Sequence, residues 1–436
     1  MVDVDALRRE YSHFLRPDRV LLTGHSHQAW PDVAREAGAR AFDDAARLAD
    51  DKWGGAVFPL IGRVQRRLLD RIGVPDGDGL AFGSNTHELV FRLLSCLRAG
   101  DRPRVVTTGG EFHSLRRQLG RLEEEGFDIV WVDALPRETL GERLVEAITP
   151  GTAMVALSAV FFEDAWVLRE LGAVIERAVA VGAIPLIDVY HAFNVVPLDW
   201  GPAAAHAFVT GGGYKYAEMG EGICWLRIPS GSTLRPVQTG WFADYGALER
   251  GYGQGPIGYG PGAERFAGAS FDPTAFYRAD AVLDLFDRHG LDVPTLRSLS
   301  LRQTALIVDA LGPDASRLAS SPDPDRRGGF VALRAPGAEH LVSRLRARGV
   351  WVDARGDLLR IGPAPYLTDD EITRSVAVIR EELRALPRAI RAQDTGRRGR
   401  AAPRGGHLVR GMENLDTPAP SIAGARRGRS VAAVRR

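Results

Sequence analysis

Two nearby stretches, Ile184-Pro-Leu-Ile-Asp-Val-Tyr190 and Thr210-Gly-Gly-Gly-Tyr-Lys-Tyr216, decide how this chain is read. The first is an apolar run that ends on an aspartate, Asp188. The second is a short strand-like run that ends in glycines and then a lysine, Lys215. Short continuous apolar runs suit strands buried on both faces, the habit of parallel sheets covered by helices. In such sheets ligands lie beyond the carboxyl ends of the strands. Asp188 and Lys215, 27 residues apart, both fall at such ends.

Lys215 is one of two lysines among 436 residues; the other is Lys52, and the remaining 54 cationic side chains are arginine. Arginine stays protonated in proteins, whereas lysine can lose its proton and attack a carbonyl. A lysine kept in so arginine-biased a chain suggests a task that arginine cannot perform. Lys52, next to Asp50 and Asp51 on a polar stretch, reads as a surface residue. An aspartate closing one strand and a lysine just past the next are the two groups a pyridoxal phosphate (PLP) enzyme needs. The lysine forms the Schiff base, and the aspartate keeps the pyridine nitrogen protonated.

Working outward, helix and strand patterns alternate. Strands are expected over about 79–84, 105–108, 127–132, 154–160 and 223–228, besides those ending at Asp188 and Gly211. Helices are expected over about 86–98, 114–125 and 168–181; in the first, Leu89, Val90, Leu93, Leu94 and Leu97 recur at helical spacing. From about residue 280 the pattern changes to a long helical region reaching about 311. Short strands near 330–334, 351–353 and 358–361 follow, with helices over about 339–348 and 369–386. The expected organisation has four parts. Residues 1–50 pack with a small domain, 51–285 form a large PLP-binding domain, 286–390 form the small α+β domain, and 391–436 form a disordered tail.

Other motifs gather around the pair. Gly83-Ser-Asn-Thr-His87 joins a strand to a helix start, where backbone N–H groups and Ser, Asn or Thr side chains can hold a phosphate or merely cap the helix. Glu111-Phe-His-Ser114 follows the next strand, and its aromatic can stack on a planar ring or fill a core. His191, three residues past Asp188, can hydrogen-bond or stack beside a cofactor. Arg360 ends a strand before Pro363 and Pro365, which stiffen the turn. Arginine is a natural bidentate partner for a carboxylate, although a surface salt bridge is the plainer reading of one arginine.

Bulk properties bound the rest. Two cysteines, Cys96 and Cys224, far apart in sequence, exclude a disulfide framework and a cysteine-rich zinc site and suit a reducing cytoplasm. No apolar run has the length of a membrane span, and Met1-Val-Asp-Val-Asp is not a signal peptide. A net charge of +1 hides an asymmetry: 391–436 hold eleven arginines against Asp394, Glu413 and Asp416, a net +8 that leaves −7 for the remainder. Such a tail, poor in aromatics, cannot bury a core. A basic tail can contact nucleic acid or an acidic surface, but a compositional extension is the simpler reading, and nucleic acid is not an expected partner.

The segments Asp188-Val-Tyr-His-Ala192, Pro197-Leu-Asp-Trp200, Gly213-Tyr-Lys-Tyr216, Gly240-Trp-Phe242 and Arg360-Ile-Gly-Pro-Ala-Pro-Tyr366 together resemble kynureninase. More broadly they resemble the class V aminotransferase group of fold-type I PLP-dependent enzymes. The resemblance covers about residues 20–385 and implies an α/β fold: a large domain with a mostly parallel sheet plus a smaller α+β C-terminal domain. It implies PLP as cofactor, with Lys215 as Schiff-base lysine and proton shuttle and Asp188 paired with the pyridinium nitrogen. Phe112 would stack on the ring, and Asn85, Thr86 and Tyr214 would hold the phosphate. Trp241 and Ser270 would approach that phosphate from a neighbouring subunit, which implies a homodimer with shared sites. Arg360 would hold the α-carboxylate of an amino-acid substrate.

The departures bear on the reaction. Kynureninases typically have Phe-Pro-Ser-Asp where this chain has Phe112-His-Ser-Leu115, so Leu115 replaces an acid. Phe161-Phe-Glu-Asp-Ala165 and Ser270-Phe-Asp-Pro273 also differ from the family pattern. Gly24-His-Ser-His27 is read as a substrate-facing loop rather than an incidental loop or a metal site; no metal is expected. The resemblance implies hydrolytic Cβ–Cγ cleavage to alanine and an aromatic acid. The alternative is a class V aminotransferase, and from another class a non-catalytic PLP-fold binding protein. Cysteine desulfurase chemistry is disfavoured, since neither cysteine lies in a plausible flexible catalytic loop.

Overall fold

The computed structural model describes residues 2–247, 251 and 255–385. The expected tail over 391–436 lies outside them. After a short helix, Val4–Arg9, come the two-residue strand β1 (Val20–Leu21) and then the seven strands of the central sheet. These are β2 (Leu80–Gly83), β3 (Arg104–Thr108), β4 (Asp128–Val132), β5 (Thr152–Ser158), β6 (Ile184–Asp188), β7 (Phe208–Gly212) and β8 (Cys224–Arg227). Their order is β2-β8-β7-β6-β5-β3-β4. Every neighbouring pair from β7 to β4 is parallel, and β8 alone runs antiparallel to both β7 and β2.

Helices cover both faces because successive strand residues point to opposite sides. Val105, Met154 and Leu186 pack with Leu89, Leu93, Leu115 and Leu119 from the helices Thr86–Leu94 and His113–Glu124. Their sequence neighbours Val106, Val155 and Ile187 pack on the other side, with Leu140, Leu144, Leu171 and Val174 from Leu140–Ala147 and Leu171–Ala180. Each such fully buried aliphatic side chain contributes roughly 1.5–3 kcal/mol. A parallel sheet sandwiched this way leaves only its strand ends open. The carboxyl ends of β3, β5, β6 and β7 gather along one edge. Since β8 runs the other way, its first residue, Cys224, joins them opposite Gly212.

The expected helical region from 280 to 311 is two helices, Thr274–Arg288 and Val293–Leu311. Gly290 takes a left-handed φ of +63°, and Asp292 caps the second helix by accepting a hydrogen bond of 2.8 Å from the Thr295 N–H. The stop and start were written as Gly290 and Asp292-Val-Pro294. Beyond them β9 (Val331–Arg334), β10 (Val350–Trp351), β11 (Asp353–Arg355) and β12 (Leu358–Ile361) follow, with helices Ala338–Ala347 and Asp369–Arg384. β11, β12 and β9 form an antiparallel sheet in that order.

The N-terminal segment divides in two. β1 pairs in parallel with β10, and Arg8 binds Glu371 and the Tyr366 carbonyl oxygen, each at 2.7 Å. The helix Asp32–Leu48, in contrast, packs along Thr274–Arg288, where the Tyr277 hydroxyl donates to Asp44 at 2.9 Å. Residues of the first thirty also reach the other side, where the His27 ring stacks on Tyr214 and Arg278 lies over Trp30. The helix turns its buried alanines, Ala34, Ala37 and Ala41, elsewhere.

The two parts of the seam meet at Gly24, whose N–H donates to the Gly362 carbonyl at 2.9 Å. A Cβ on Gly24 would run into the Pro363 carbonyl oxygen, which is backbone and cannot step aside cheaply. Gly24→Ala is expected to lower stability by about 1–3 kcal/mol. Urea unfolding checks this; an unchanged midpoint would mean that the seam is loosely packed.

Candidate active site

The strand ends enclose a cavity of about 350 Å³ lined by residues from Ser84 to His87, Phe112, Ser158, Asp188, His191, Tyr214, Lys215 and Cys224, among others. The glycines that end β7 and follow it make the close packing here possible. A Cβ on Gly212 would collide with the Tyr190 hydroxyl and the Cys224 sulfur, and one on Gly213 with Met219 and Ile223. With no side chain there, the chain turns and carries Lys215 into the interior, 6% exposed.

The Lys215 amine lies 2.8 Å from His191 Nε2. Aromatic rings surround it, with centroids 4.4 Å away for Tyr190 and 5.6 Å for both Phe112 and Tyr214. Burial penalises the ammonium and lowers its pKa to about 7; Asp188 opposes the shift, and Arg360 and Arg355 reinforce it. Asp188 closes β6, and its carboxylate accepts the Tyr190 N–H at 2.8 Å, the one hydrogen bond it makes among the described residues. Burial raises its pKa against that hydrogen bond and the nearby Lys215. Burial also drives the His191 pKa well below its ordinary value, helped by Lys215 and Arg360, so the ring is neutral. Its Nδ1 is buried without a partner.

Asn85 caps the helix Thr86–Leu94; its side-chain oxygen accepts the Glu88 N–H at 2.9 Å. The capping task occupies that side chain while Ser84, Thr86 and the first helical turn face the cavity. The first N–H groups of a helix lack internal partners and favour anions. Phe112 lines the same cavity, with Phe162 edge-on at 5.5 Å.

Arg360, 2% exposed on β12, is not among the residues lining this cavity. Asp353 grips it through Nε at 2.8 Å and through Nη2, while Nη1 donates to the Phe162 carbonyl at 2.5 Å. The side chain is thus held by Asp353 and Phe162 rather than by the prolines that follow it. His25 turns inward: its Nε2 meets Asp353 at 2.8 Å and its ring stacks on Phe330 at 4.5 Å. That is a correction to the loop as wholly substrate-facing, since only His27 remains exposed, stacked on Tyr214 at 5.4 Å. Trp241 and Ser270 lie away from Lys215. Ser270 lines an adjoining hollow of about 790 Å³ that shares Ser84 and Gly222 with the cavity, and Trp241 stacks on Phe242, which lines it too. Among the described residues no cluster of three or more metal-ligating side chains occurs.

Several cavity residues escaped the sequence reading. Cys224 is one, because nothing in its strand announces that it runs antiparallel and therefore begins where its neighbours end. Burial pushes its thiol up to about 12, so it is not a ready nucleophile. Glu111 is another. It lies buried next to the cavity, accepting hydrogen bonds from Thr108 at 2.7 Å and Ser158 at 2.6 Å, and burial raises its pKa to about 7. Its place beside Phe112, just past a strand, was a usable signal.

The family model for the kynureninase C-terminal domain matches residues 296–379. No curated protein matches the chain by sequence. Among solved structures, a lysine-to-alanine mutant of C-DES with glycine covalently linked to its PLP cofactor aligns with a TM-score of 0.74 and 17% identity, over 86% of this chain and 99% of its own. The apo cysteine desulfurase of Thermococcus onnurineus NA1 gives 0.70 and 17%, over 88% and 99%. The cysteine desulfurase CsdA of Escherichia coli gives 0.71 and 16%, over 89% and 100%. The chain has an α/β fold with a mostly parallel central sheet that matches the fold of these fold-type I PLP-dependent enzymes.

The depressed lysine is directly measurable. After reductive ¹³C-methylation, the Lys215 methyl resonance is expected to titrate with a midpoint near pH 7. The amine is charged below that pH and neutral above it. A midpoint near the ordinary lysine value of about 10.4 would place the amine in solvent.

Proposed function

We propose that this protein is a PLP-dependent enzyme acting on an amino acid, and that its reaction is a kynureninase-like hydrolytic Cβ–Cγ cleavage releasing alanine and an aromatic acid. One observation carries the cofactor assignment: a buried amine near neutrality and a buried carboxylate line one cavity beside an open helix N-terminus. The residues fit the group. Asp188 can answer the pyridine nitrogen, and Phe112 can cover a ring face. His191, with a buried Nδ1 to satisfy, can answer a polar ring substituent. Thr86, Asn85 and Tyr214 can take the phosphate, with Ser84 added. When bound, PLP supplies an aldehyde for the lysine amine and a ring that takes up electrons released at the substrate α-carbon.

The chain's own groups perform the rest. Lys215, neutral in half its molecules near pH 7, can take a proton from the α-carbon and return one. The aromatic walls of Tyr190, Phe112 and Tyr214 keep water from the amine. Arg360 presents a fixed cation to the α-carboxylate. Trp241 and Ser270 are proposed to complete the phosphate site of a second copy in a homodimer. The kynureninase C-terminal match over 296–379 includes Asp353 and Arg360, which supports the hydrolase reading. A class V aminotransferase remains the alternative, and incubation with kynurenine, against amino donors plus a keto acid, separates them. Anthranilate with alanine supports the first; a new amino acid supports the second. The cysteines favour neither a desulfurase nor its chemistry: burial raises both Cys96 and Cys224 to about 12.

Borohydride reduction of the PLP-loaded protein is expected to fix the cofactor on Lys215, read by mass spectrometry of the peptide. Lys215→Ala is expected to abolish both the adduct and turnover; an adduct at Lys52 in that variant would refute the assignment. Asp188→Asn is expected to keep PLP bound and to lower kcat by about 10²–10³-fold, the usual cost of removing one preorganised electrostatic partner. Turnover near wild type would mean that Asp188 does not face the ring.

A further inference from the structure

Arg360 is a buried guanidinium whose side edge is already filled. Two of its nitrogens, Nε and Nη2, grip the two oxygens of Asp353, and Nη1 reaches the Phe162 carbonyl. Of its five N–H groups this leaves two among the described residues, one on each terminal nitrogen. An incoming carboxylate can be bridged by the two terminal nitrogens where the Phe162 carbonyl takes the Nη1 hydrogen on the Cδ side. A free arginine side chain samples many rotamers and presents any edge; this one presents a single edge. Its Nη1 partner belongs to Phe162, a residue that lines the cavity.

Asp353 is itself fixed from the far side. His25 Nε2 lies 2.8 Å from the same Asp353 oxygen that takes the Arg360 Nε–H. The His25 ring is fully buried and stacked on Phe330, and the Arg360 guanidinium lies 5.6 Å from the centroid of the Phe330 ring. Gly362 makes room for the histidine, since a Cβ there would collide with His25 Nδ1. Since an ionised carboxylate only accepts, the His25 tautomer with Nε2 protonated is the one that fits. His25 belongs to the N-terminal seam, Asp353 to β11 and Arg360 to β12.

We propose that Asp353, braced by His25, is the positioning residue for substrate-carboxylate recognition: it locks the Arg360 guanidinium so that only its terminal N–H pair is offered. The proposal rests on Arg360 as the carboxylate partner given above. It assigns the Gly24-His25-Ser26 turn a purpose, since the turn carries the brace from one end of the chain to the strand that bears the arginine. It also accounts for a cation with no room for a second anion: Asp353 occupies its side edge, leaving one carboxylate's worth of donors.

The test compares L-alanine with L-alaninamide, which keeps the amine and lacks the carboxylate, by calorimetric titration of the PLP-loaded protein. Wild type is expected to prefer L-alanine. In Asp353→Asn one acceptor oxygen becomes a donor, the fork becomes a single bond, and the preference is expected to fall by about 10-fold or more. His25→Asn keeps a donor toward Asp353 and is expected to stay within about 3-fold of wild type, whereas His25→Leu falls with Asp353→Asn. A merely structural role would lower affinity for both ligands alike and leave the ratio unmoved. Should Asp353→Asn fail to fold, the two His25 variants decide. An unmoved ratio in Asp353→Asn, equal behaviour of His25→Asn and His25→Leu, or a wild type that does not discriminate would each overturn the proposal. Borohydride trapping on Lys215, run in parallel, fails independently if the cofactor reading is wrong.

Discussion

Desolvation of one amine governs this molecule. Lys215 is carried into an interior of aromatic rings where a charged ammonium is expensive, and no carboxylate among the described residues forms an ion pair with it. The fold tolerates the amine by letting it become neutral. The same constraint runs through its neighbours: His191 is held neutral, Glu111 has its pKa raised to about 7, and Asp188 is raised too. Three titratable groups that line one cavity, and Glu111 beside it, are all displaced toward their uncharged forms. Arg67, paired near the surface with Asp284 and Asp287, is displaced the other way, toward its charged form, by those hydrogen bonds. Pockets that keep groups near their ionisation points are suited to proton transfer.

The architecture explains why these groups meet. A sheet covered by helices on both faces can open only at its strand ends, and four parallel strands deliver Thr108, Ser158, Asp188 and Gly212 to one edge. Everything beyond is loop, free to vary without disturbing the core beneath. The glycines that end β7 and follow it are the exception, because the space above them is filled by Tyr190 and Cys224.

Much of this was legible in the sequence, and for physical reasons. Parallel strands buried on both faces leave continuous apolar runs, so β6 and the end of β7 could be placed, and with them Asp188 and Lys215. Asn85 was visible as a cap, although its capping role, which ties its oxygen to the Glu88 N–H, was not separable from a phosphate role in advance. What stayed hidden depends on contacts between distant segments. No local pattern says that His25 and Asp353, 328 residues apart, will bond, or that Arg360 will be held by Asp353 rather than by the stiff turn after it. Strand direction was equally silent: Cys224 reads as the start of one more apolar run. The break at Gly290 was different, since the glycine, the Asp292 cap and Pro294 were all in view and the apolar periodicity on either side outweighed them.

Fold and chemistry separate cleanly here. The aligned structures share the fold with this chain at 16–17% identity, and a likeness at that level speaks for the fold and not for a reaction. The large domain supplies the amine, the carboxylate and the helix N-terminus from residues 84–215. The remaining cation comes from β12 in the small domain, and it arrives already oriented by Asp353 and, through His25, by the first thirty residues. On the proposed reading, residues 84–215 act at the α-carbon, while the seam between the chain's two ends orients the carboxylate that lies against it. On that reading the N-terminal segment acts on the site through the His25–Asp353 bond, although none of its residues lines the cavity.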